Sequence, residues 1–290
     1  MTSQSTIALR KMNGLGNDFA VLDARPNAMH LSVEQARAIA DRESGVGCDQ
    51  VIALEPSHNA DVFMRIWNHD GCEVEACGNA ARCVASVLAG ETGRDTVTIE
   101  TEAAILGAKI NADGTVTIDM GEPLLRWDQI PLAEEFHDTR IIELQVGPID
   151  DPVLHTPSVV NVGNPHCIFW VDDLDAHDLA RIGPVLENHP IFPERANISL
   201  AQVTAPDAIS LRVWERGVGL TRACGTAACA VVVAAARKGL TGRQITVTLP
   251  GGPLKLEWRE VDDHILMTGP SELEYEGMLD PVLQPKGPVA

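Results

Sequence analysis

Apolar and polar residues alternate in short runs along most of the chain, a pattern typical of β-strands with one buried face. Two longer apolar runs interrupt it, at residues 77–90 and 223–239. Arg82 is the only charged residue in the first run, and the second has none before Arg237. Because a helix that is apolar on all sides is a buried helix, these runs predict two buried helices, the first ending at Gly90 and the second at Gly239.

Shorter runs predict the remaining elements. Ser32 and Gln35 have the spacing of a capping box, which predicts a helix running to about Arg42. A short helix is predicted near residues 175–182, and no clear pattern follows Glu274. The predicted strands are 7–9, 19–22, 51–54, 61–67, 96–101, 108–110 and 116–120, followed by 141–146, 153–162, 167–171, 198–203, 209–214, 245–249, 254–258 and 265–267.

The two halves of the chain repeat one another at a fixed offset. Cys77 and Cys224 are 147 residues apart (224 − 77). The same offset aligns further pairs: Trp67 with Trp214, Asn17 with Asn164, and Gln50 with Asn197. Such an offset indicates a duplicated domain. The sequence therefore predicts an α+β fold of two pseudo-symmetric domains, each a curved, mainly antiparallel, barrel-like sheet around a central buried helix.

The repeat also gives the predicted domain boundaries. Prolines and charges between Glu122 and Asp138 indicate the crossover between the halves. The first domain is predicted at residues 1–125 and carries Cys77, and the second is predicted at 126–271 and carries Cys224. The tail, residues 272–290, is a candidate to return to the first domain.

Composition narrows the class of partner. The chain has 290 residues, with 22 Lys+Arg against 41 Asp+Glu and a net charge of −19. Such a charge repels nucleic acid and anionic membrane surfaces. No apolar run has the length of a membrane span, and no signal peptide is recognisable near Met1. The expectation is a cytoplasmic protein without nucleic-acid or membrane partners.

The seven cysteines, an odd number without a secretory signal, argue against a disulfide framework. Most buried cysteines act as small apolar side chains. This interpretation is favoured for Cys48, Cys83 and Cys229 and less clearly for Cys72 and Cys167. The cysteine spacings lack the paired ligands of a zinc site, so no metal is expected. A Cys–His hydrolase needs one nucleophile and leaves the second copy unexplained.

Cys77 and Cys224 differ from the others because they are duplicated and each precedes a glycine at a predicted helix start. The partial positive charge and N–H groups of a helix N-terminus favour a thiolate and bind a carboxylate. The N–H groups concerned are those of Gly78, Asn79, Gly225 and Thr226. If the halves face one another, one thiolate can remove the α-proton of an amino acid while the other thiol supplies a proton on the opposite face. This chemistry is stereoinversion, with charge developing next to preorganised donors.

Polar residues at the duplicated turns differ between the halves. Asn68 occupies the position of Glu215, and His69 occupies that of Arg216. Arginine suits bidentate capture of a carboxylate, and asparagine suits amide hydrogen bonding. Each such residue alone is common in turns. Together they indicate an asymmetric polar pocket and a substrate with two distinct ends.

Several motifs resemble those of one enzyme family, in order and over nearly the whole chain. They are residues 11–19 (KMNGLGNDF), 68–71 with 77–83 (NHDG, CGNAARC), 163–166 (GNPH), 192–197 (FPERAN) and 215–217 with 223–226 (ERG, ACGT). By these motifs the chain resembles the diaminopimelate epimerases. It departs from the usual pattern at Ala80 and Ala227 (glycine), Leu220 (glutamate) and Cys72 (serine). Both alanines lie in predicted helices, where alanine is tolerated better than glycine.

The resemblance implies an isomerase that interconverts L,L- and meso-2,6-diaminopimelate without pyridoxal phosphate, on the route to lysine and peptidoglycan. It implies that Cys77 and Cys224 are the acid/base pair and that His166 and Glu215 tune the thiols. The substrate-binding residues it implies are Asn17, Gln50, Asn68, Gly78, Asn79, Asn164, Asn197, Glu215, Arg216, Gly225 and Thr226. The expected partner is this small molecule, no cofactor is expected, and a homodimer is left open.

Two alternatives stay open. A proline or hydroxyproline racemase of the same superfamily also uses two cysteines, although Arg216 and the amide residues favour a longer substrate. A thiol-based redox or binding protein without turnover belongs to a different class. Epimerisation of L,L-diaminopimelate without added cofactor distinguishes these alternatives.

Overall fold

The computed structural model of the protein describes residues 7–26, 29–280 and 282–283. These residues form four α-helices, with a 3₁₀ turn at Leu174–Ala176 before the third. The helices are α1 (Val33–Ala40), α2 (Gly78–Thr92), α3 (Leu179–Glu187) and α4 (Gly225–Lys238). No helix in these described ranges is both long and apolar enough to cross a membrane.

The strands are numbered β1 to β19 in chain order. The first eight are β1 (Ala8–Asn13), β2 (Asp18–Asp23), β3 (Gln50–Glu55), β4 (Val62–Asn68), β5 (Glu73–Val74), β6 (Thr96–Glu100), β7 (Ile105–Ile110) and β8 (Val116–Asp119). The others are β9 (Gln145–Val146), β10 (Leu154–His155), β11 (Ser158–Asn161), β12 (Pro165–Trp170), β13 (Asn197–Ala205), β14 (Ala208–Glu215), β15 (Gly219–Thr221), β16 (Gln244–Leu249), β17 (Gly252–Trp258), β18 (Ile265–Gly269) and β19 (Glu272–Met278).

The chain divides into two compact units. Unit 1 comprises Met1–Ile118 with Gly269–Ala290, and unit 2 comprises Asp119–Thr268. These bounds lie a few residues from the boundaries expected from composition. The reason is that residues 120 and 121 pair with β18: Met120 N donates to Ile265 O at 2.8 Å, and Ile265 N donates to Gly121 O at 2.9 Å.

The two units pair their strands in the same order and sense. In unit 1, β1–β2, β3–β4, β4–β5 and β6–β7 are antiparallel, whereas β2–β3 and β4–β6 are parallel. In unit 2, β11–β12, β13–β14, β14–β15 and β16–β17 are antiparallel, whereas β12–β13 and β14–β16 are parallel. The register follows the offset of the sequence repeat, since Phe19 pairs with Gln50 and His166 pairs with Asn197. Each sheet is therefore mixed and mainly antiparallel.

Each sheet packs against one buried helix. Most of α2 and α4 is inaccessible to solvent, α2 contacts β6 and β7, and α4 contacts β11, β12, β16 and β17. The α+β class and the buried central helices are thus confirmed. Helix α4 ends at Gly239 as predicted, whereas α2 continues through Gly90 to a left-handed cap at Gly93 (φ 69°). A glycine inside a helix costs only about 1 kcal/mol relative to alanine, so Gly90 does not end it.

Three predictions in the second half are wrong in detail. The strand predicted at 141–146 is reduced to β9, and that at 153–162 is divided because Thr156 has a positive φ of 47°. The helix predicted near 175–182 is split, and α3 starts at the N-cap Asp178, whose carboxylate accepts from Arg181 N. The tail forms β19, which pairs with β1 and has all 7 residues exposed. Because neither face of β19 is buried, burial gives it no alternation of apolar and polar residues.

Candidate active site

Both duplicated cysteines are the N-caps of the buried helices. Cys77 (φ −149°, ψ 110°) and Cys224 (φ −135°, ψ 107°) have nearly the same extended backbone. The first ladder bonds run from Ala81 N to Cys77 O at 3.0 Å and from Ala228 N to Cys224 O at 3.2 Å. The N–H groups between each cysteine and these residues lie in the first helical turn, where the helix supplies no acceptor. Each cysteine is therefore next to a group of donors suited to an anion.

The surroundings of Cys224 favour the protonated thiol. Its Sγ lies 3.5 Å from Thr226 Oγ1, and the residue is 4% exposed. Burial, and next the negative charge of Glu215, raise the pKa of Cys224 well above that of an ordinary thiol, although Thr226 and the N–H of Ala227 oppose this. Burial and the neighbouring carboxylate thus oppose the effect of the helix start on the thiol of Cys224.

The other cysteines have distinct surroundings. Cys77 is half-buried and Cys72 is exposed. Cys48, Cys83, Cys167 and Cys229 are buried. Burial raises the pKa of Cys48 and of Cys83 to about 12. These two thiols are therefore protonated at neutral pH, in agreement with their interpretation as apolar side chains.

In unit 1 a tight turn brings Asn17 to the start of α2. Gly14 N donates to Asn17 O at 2.8 Å, and Gly16 N donates to Asn13 Oδ1 at 2.7 Å. A Cβ atom at Gly14 would lie 3.1 Å from the carbonyl oxygen of Asn79. A side chain at this position would be tightly packed against the helix backbone, so glycine favours this close approach of the turn.

A line of hydrogen bonds orients the amides of unit 1. Arg82 Nη1 donates to Asn79 Oδ1 at 3.0 Å, and Asn79 Nδ2 makes a long contact of 3.5 Å with Asn17 Oδ1. Asn17 Nδ2 in turn donates to Asp49 Oδ2 at 2.9 Å. The bonds from Arg82 and to Asp49 determine which end of each amide carries oxygen and which carries nitrogen. Nearby, Gln50 Nε2 donates to Asn68 Oδ1 at 2.9 Å.

Charged residues bind the carboxylate of Asp49, at the end of this line, and the neighbouring carboxylate of Asp18. Arg42 Nη2 contacts Asp49 Oδ1 at 2.8 Å and Asp18 Oδ1 at 2.9 Å, and Lys11 also pairs with Asp18. Burial raises the pKa of Asp18, but hydrogen bonds from Arg42 and Lys11 outweigh it and hold that pKa well below its ordinary value. Asp18 is therefore an ionised acceptor at neutral pH, held between Arg42 and Lys11, and Asp49 pairs with Arg42.

In unit 2 the corresponding amides are held by a neutral ring and by backbone groups. His166 is fully buried, and its Nε2 lies 2.7 Å from Asn164 Oδ1. Asn197 Nδ2 donates to Pro165 O at 3.0 Å, and Asn197 Oδ1 accepts from Arg216 N at 3.0 Å. Burial, and then the charge of Arg216, lower the pKa of His166 to about 3. His166 is therefore uncharged at neutral pH and donates to Asn164 through Nε2.

The turn after β14 carries the two charged residues predicted for the site. Glu215 accepts a hydrogen bond from Thr221, and its carboxylate lies close enough to Cys224 to affect that thiol. Arg216 Nη1 donates to the carbonyl oxygen of Glu194 at 2.9 Å. The structure therefore groups Cys224, Thr226 and Glu215, and separately groups Arg216 with Asn197.

Sequence reasoning missed the residues that support these amides. Asp49 and Arg42 were not singled out, and Arg82 was noted only as a charge in an apolar helix. That isolated charge was the available signal, because a buried arginine needs partners. Among the described residues no group of three or more His, Cys, Asp or Glu is arranged to hold a metal ion.

Comparison with known proteins identifies relatives over the whole chain. The family model described as diaminopimelate epimerase matches residues 9–125 and 158–274. A diaminopimelate epimerase of Rhodopseudomonas palustris (strain BisB18) is 56% identical over 285 residues, 98% of each chain. One from Brucella anthropi is 56% identical over 277 residues, covering 94% of this chain and 92% of its own.

Solved structures share the fold at low identity. A phenazine biosynthesis protein of the PhzF family from Bacillus anthracis superimposes with a TM-score of 0.67 at 17% identity, over 96% of this chain and 100% of its own. A hydroxyproline epimerase from Agrobacterium vitis, crystallised with trans-4-hydroxy-L-proline, gives 0.67 at 14% identity, over 97% and 95%. At such identities these similarities establish the fold alone.

Proposed function

The chain belongs to the diaminopimelate epimerase family, and from this premise we propose that Cys77 and Cys224 are its acid/base pair. The protein is an epimerase that interconverts L,L- and meso-2,6-diaminopimelate, in the biosynthesis of lysine and of peptidoglycan precursors. The observation that supports the pair best is the shared position of the two cysteines, each at the start of a buried helix with the same backbone conformation.

In the proposed reaction the α-proton leaves to one sulfur and the new proton comes from the other. A thiolate takes the proton and becomes a thiol, the electron pair is delocalised into the α-carboxylate, and the second thiol protonates the opposite face and becomes a thiolate. Protons and charge balance without a cofactor. The raised pKa of Cys224 suits it to be the thiol in the resting enzyme when substrate of one configuration binds.

The α-carboxylate is proposed to bind the first-turn N–H groups of the two helices, at Gly78, Asn79, Gly225 and Thr226. Charge that develops on this group then meets donors that do not need to reorganise. Removing one such donor typically costs about 10²–10³ in rate. Arg216 is proposed to hold the distant carboxylate, which explains why only one of the two turns carries an arginine.

The amides are proposed to bind the ammonium and carboxylate groups of the substrate. They are Asn17, Gln50, Asn68, Asn164 and Asn197. Gln50 Oε1 is buried and has no hydrogen-bond partner among the described residues. A buried acceptor without a partner is costly, and a substrate ammonium group would satisfy it. His166 is proposed to act on the thiols only indirectly, as a neutral ring, since its pKa is about 3.

We further propose that the enzyme acts in the cytoplasm, as its cysteine content indicates, and that it forms a homodimer. Strand β19 supports the dimer, because it is fully exposed, pairs with β1 and carries Leu273, Tyr275 and Met278. Exposed strand edges with apolar side chains favour association. Sedimentation equilibrium measures the mass directly, and a single monomer mass at micromolar concentration contradicts this proposal.

Incubating the purified protein with L,L-diaminopimelate under reductant in D2O tests the function. The meso isomer should form without added cofactor and carry deuterium at the inverted centre, because a solvent-equilibrated thiol supplies the proton. Cys77→Ala and Cys224→Ala should each abolish turnover, whereas Cys83→Ala, a buried cysteine outside the proposed pair, should retain it. Turnover of proline but not diaminopimelate would replace this function with proline racemisation, and retention of the original hydrogen would rule out two bases.

A further inference from the structure

A buried carboxylate lies behind the turn that carries Glu215 and Arg216. It belongs to Glu187, the last residue of α3, whose side chain is 6% exposed. A negative charge in the last turn of a helix opposes the helix dipole, and burying a carboxylate is costly without compensation. Its position is therefore unfavourable on both counts unless nearby donors compensate it.

Three donors from two segments converge on this carboxylate. Trp214 Nε1 donates to Oε2 at 2.7 Å, Gly217 N donates to Oε1 at 2.9 Å, and Arg195 Nη1 contacts Oε1 at 3.1 Å. Trp214 immediately precedes Glu215, and Gly217 immediately follows Arg216. The carboxylate thus binds the chain on both sides of the two charged residues.

Packing fixes the same group of segments. A Cβ atom at Gly183, one turn earlier in α3, would lie 2.5 Å from the Trp214 ring. The ring therefore lies directly against the helix backbone, where only glycine fits. Arg195 has a positive φ of 60° and is adjacent to Glu194, whose carbonyl accepts from Arg216. Glu187 therefore connects α3, the turn after β14 and the 194–195 segment.

We infer that Glu187 is a positioning residue that sets the orientation of Arg216 and Glu215 toward the substrate. It acts through the turn and does not itself contact the substrate. This role rests on the proposed function, in which Arg216 binds the distant carboxylate. The position equivalent to Glu187 in the sequence repeat is Ala40 (187 − 147). The buried carboxylate is therefore present only in the half that carries Arg216.

Glu187→Gln tests this role because it keeps the volume and replaces one acceptor oxygen with a donor. One of the three donors then loses its acceptor, and the turn is held by fewer hydrogen bonds. We expect kcat/KM for L,L-diaminopimelate to fall roughly tenfold, mainly through a higher KM, about 1.4 kcal/mol. The matched control is Glu55→Gln, which alters a half-buried carboxylate paired with Arg65 at 3.0 Å in unit 1. It should lower the melting temperature without changing KM.

Trp214→Phe keeps an aromatic ring against Gly183 and removes the indole donor together with part of the ring. It should raise KM roughly twofold to threefold, a smaller change because two donors remain. It also gives a test if Glu187→Gln does not fold. The inference is overturned if the wild-type protein turns over diaminopimelate and KM is unchanged in whichever of the two variants fold.

A readout without substrate separates this inference from the proposed function. In an indole ¹⁵N spectrum, the signal missing from Trp214→Phe belongs to Trp214, and its proton should move upfield in Glu187→Gln because a bond to a charged acceptor is lost. An unshifted signal overturns the hydrogen bond on which the role depends. If the Trp214 signal moves as expected in Glu187→Gln but the wild-type protein does not turn over diaminopimelate, the proposed function fails and the bond itself stands.

Discussion

Unit 1 and unit 2 place an equivalent cysteine at the start of an equivalent helix, but they hold the surrounding groups by different means. In unit 1 the amide of Asn17 is bonded to Asp49, which pairs with Arg42. In unit 2 the amide of Asn164 is bonded to the neutral ring of His166. Charged groups thus support the amide of Asn17 in unit 1, whereas an uncharged ring and backbone groups support the amides of unit 2.

The turns after the equivalent strands β4 and β14 show the same divergence. In unit 1, Arg37 on α1 donates to the carbonyl oxygen of Asp70 at 2.9 Å. In unit 2, Glu187 on α3 accepts from Gly217 N at 2.9 Å. The cation Arg37 therefore binds a backbone oxygen of the turn in unit 1, whereas the carboxylate of Glu187 binds a backbone nitrogen of the turn in unit 2. The strand pairing is therefore the same in both units, whereas the side chains that bind the two turns differ.

The largest expected difference between the halves is in thiol reactivity. Because Cys77 is half-buried and the pKa of Cys224 is raised by burial and Glu215, iodoacetamide at pH 8 should modify Cys77 roughly 10²-fold faster. Peptide mass mapping over time measures both rates in one sample, with exposed Cys72 and buried Cys83 as internal references. Equal rates would mean that the two thiols are chemically alike.

Removing the carboxylate of Glu215 should reduce that difference. Glu215→Gln eliminates a negative charge that raises the pKa of Cys224, so the thiolate fraction of Cys224 should increase. Alkylation of Cys224 should accelerate accordingly while that of Cys77 stays unchanged. Glu257→Gln, a carboxylate of β17, is the control. An unaltered Cys224 rate would show that burial alone sets its pKa.

The charged support of unit 1 should matter for substrate binding. Asp49→Asn weakens the acceptor for Asn17 and removes a partner of Arg42, so KM should rise roughly threefold to tenfold, or about 0.6–1.4 kcal/mol. Asp61→Asn is the matched control, because Asp61 pairs with Arg94 near β6. Steady-state kinetics of both variants measure this effect. Equal KM values for Asp49→Asn and Asp61→Asn would show that the amides bind substrate equally well without the charge of Asp49.

The last expected effect is on acid stability. Because the pKa of buried His166 is about 3 when folded and ordinarily 6.5, the unfolded chain binds this proton first as pH falls. The stability it contributes is complete above pH 6.5 and declines toward pH 3, by up to about 1.4 kcal/mol per pH unit. Asp18 acts later, since a lowered carboxyl pKa gives stability that is lost only below about pH 4.

Calorimetric melting temperatures at pH 7.0 and 5.5 test this sign. His166→Gln, which retains a donor for Asn164, should show a smaller fall between the two pH values than wild type. His137→Gln, a substitution at an exposed histidine of unit 2, should behave as wild type does. An identical fall in His166→Gln would mean that another group titrates in this interval.

The sequence alone determined most of the elements, the repeat and the paired cysteines. The capping box at Ser32 and Gln35 forms as expected, and α4 ends at Gly239. These features can be predicted from the sequence because they depend on neighbours within a few positions, where the spacing of residue types specifies backbone conformation. The 147-residue offset needed only comparison of the chain with itself, and the strand register follows it.

Only the tertiary structure decided which side chains support the site and how they ionise. Glu187 binds groups 27 and 30 positions away, and Arg82 binds the carbonyl oxygen of Pro270, 188 positions away. No periodicity encodes such pairs. Local sequence favoured a thiolate at Cys224, but burial and Glu215 raise its pKa. The reason is physical: a pKa depends on burial and on neighbouring charges, and folding alone creates this burial and brings these charges together.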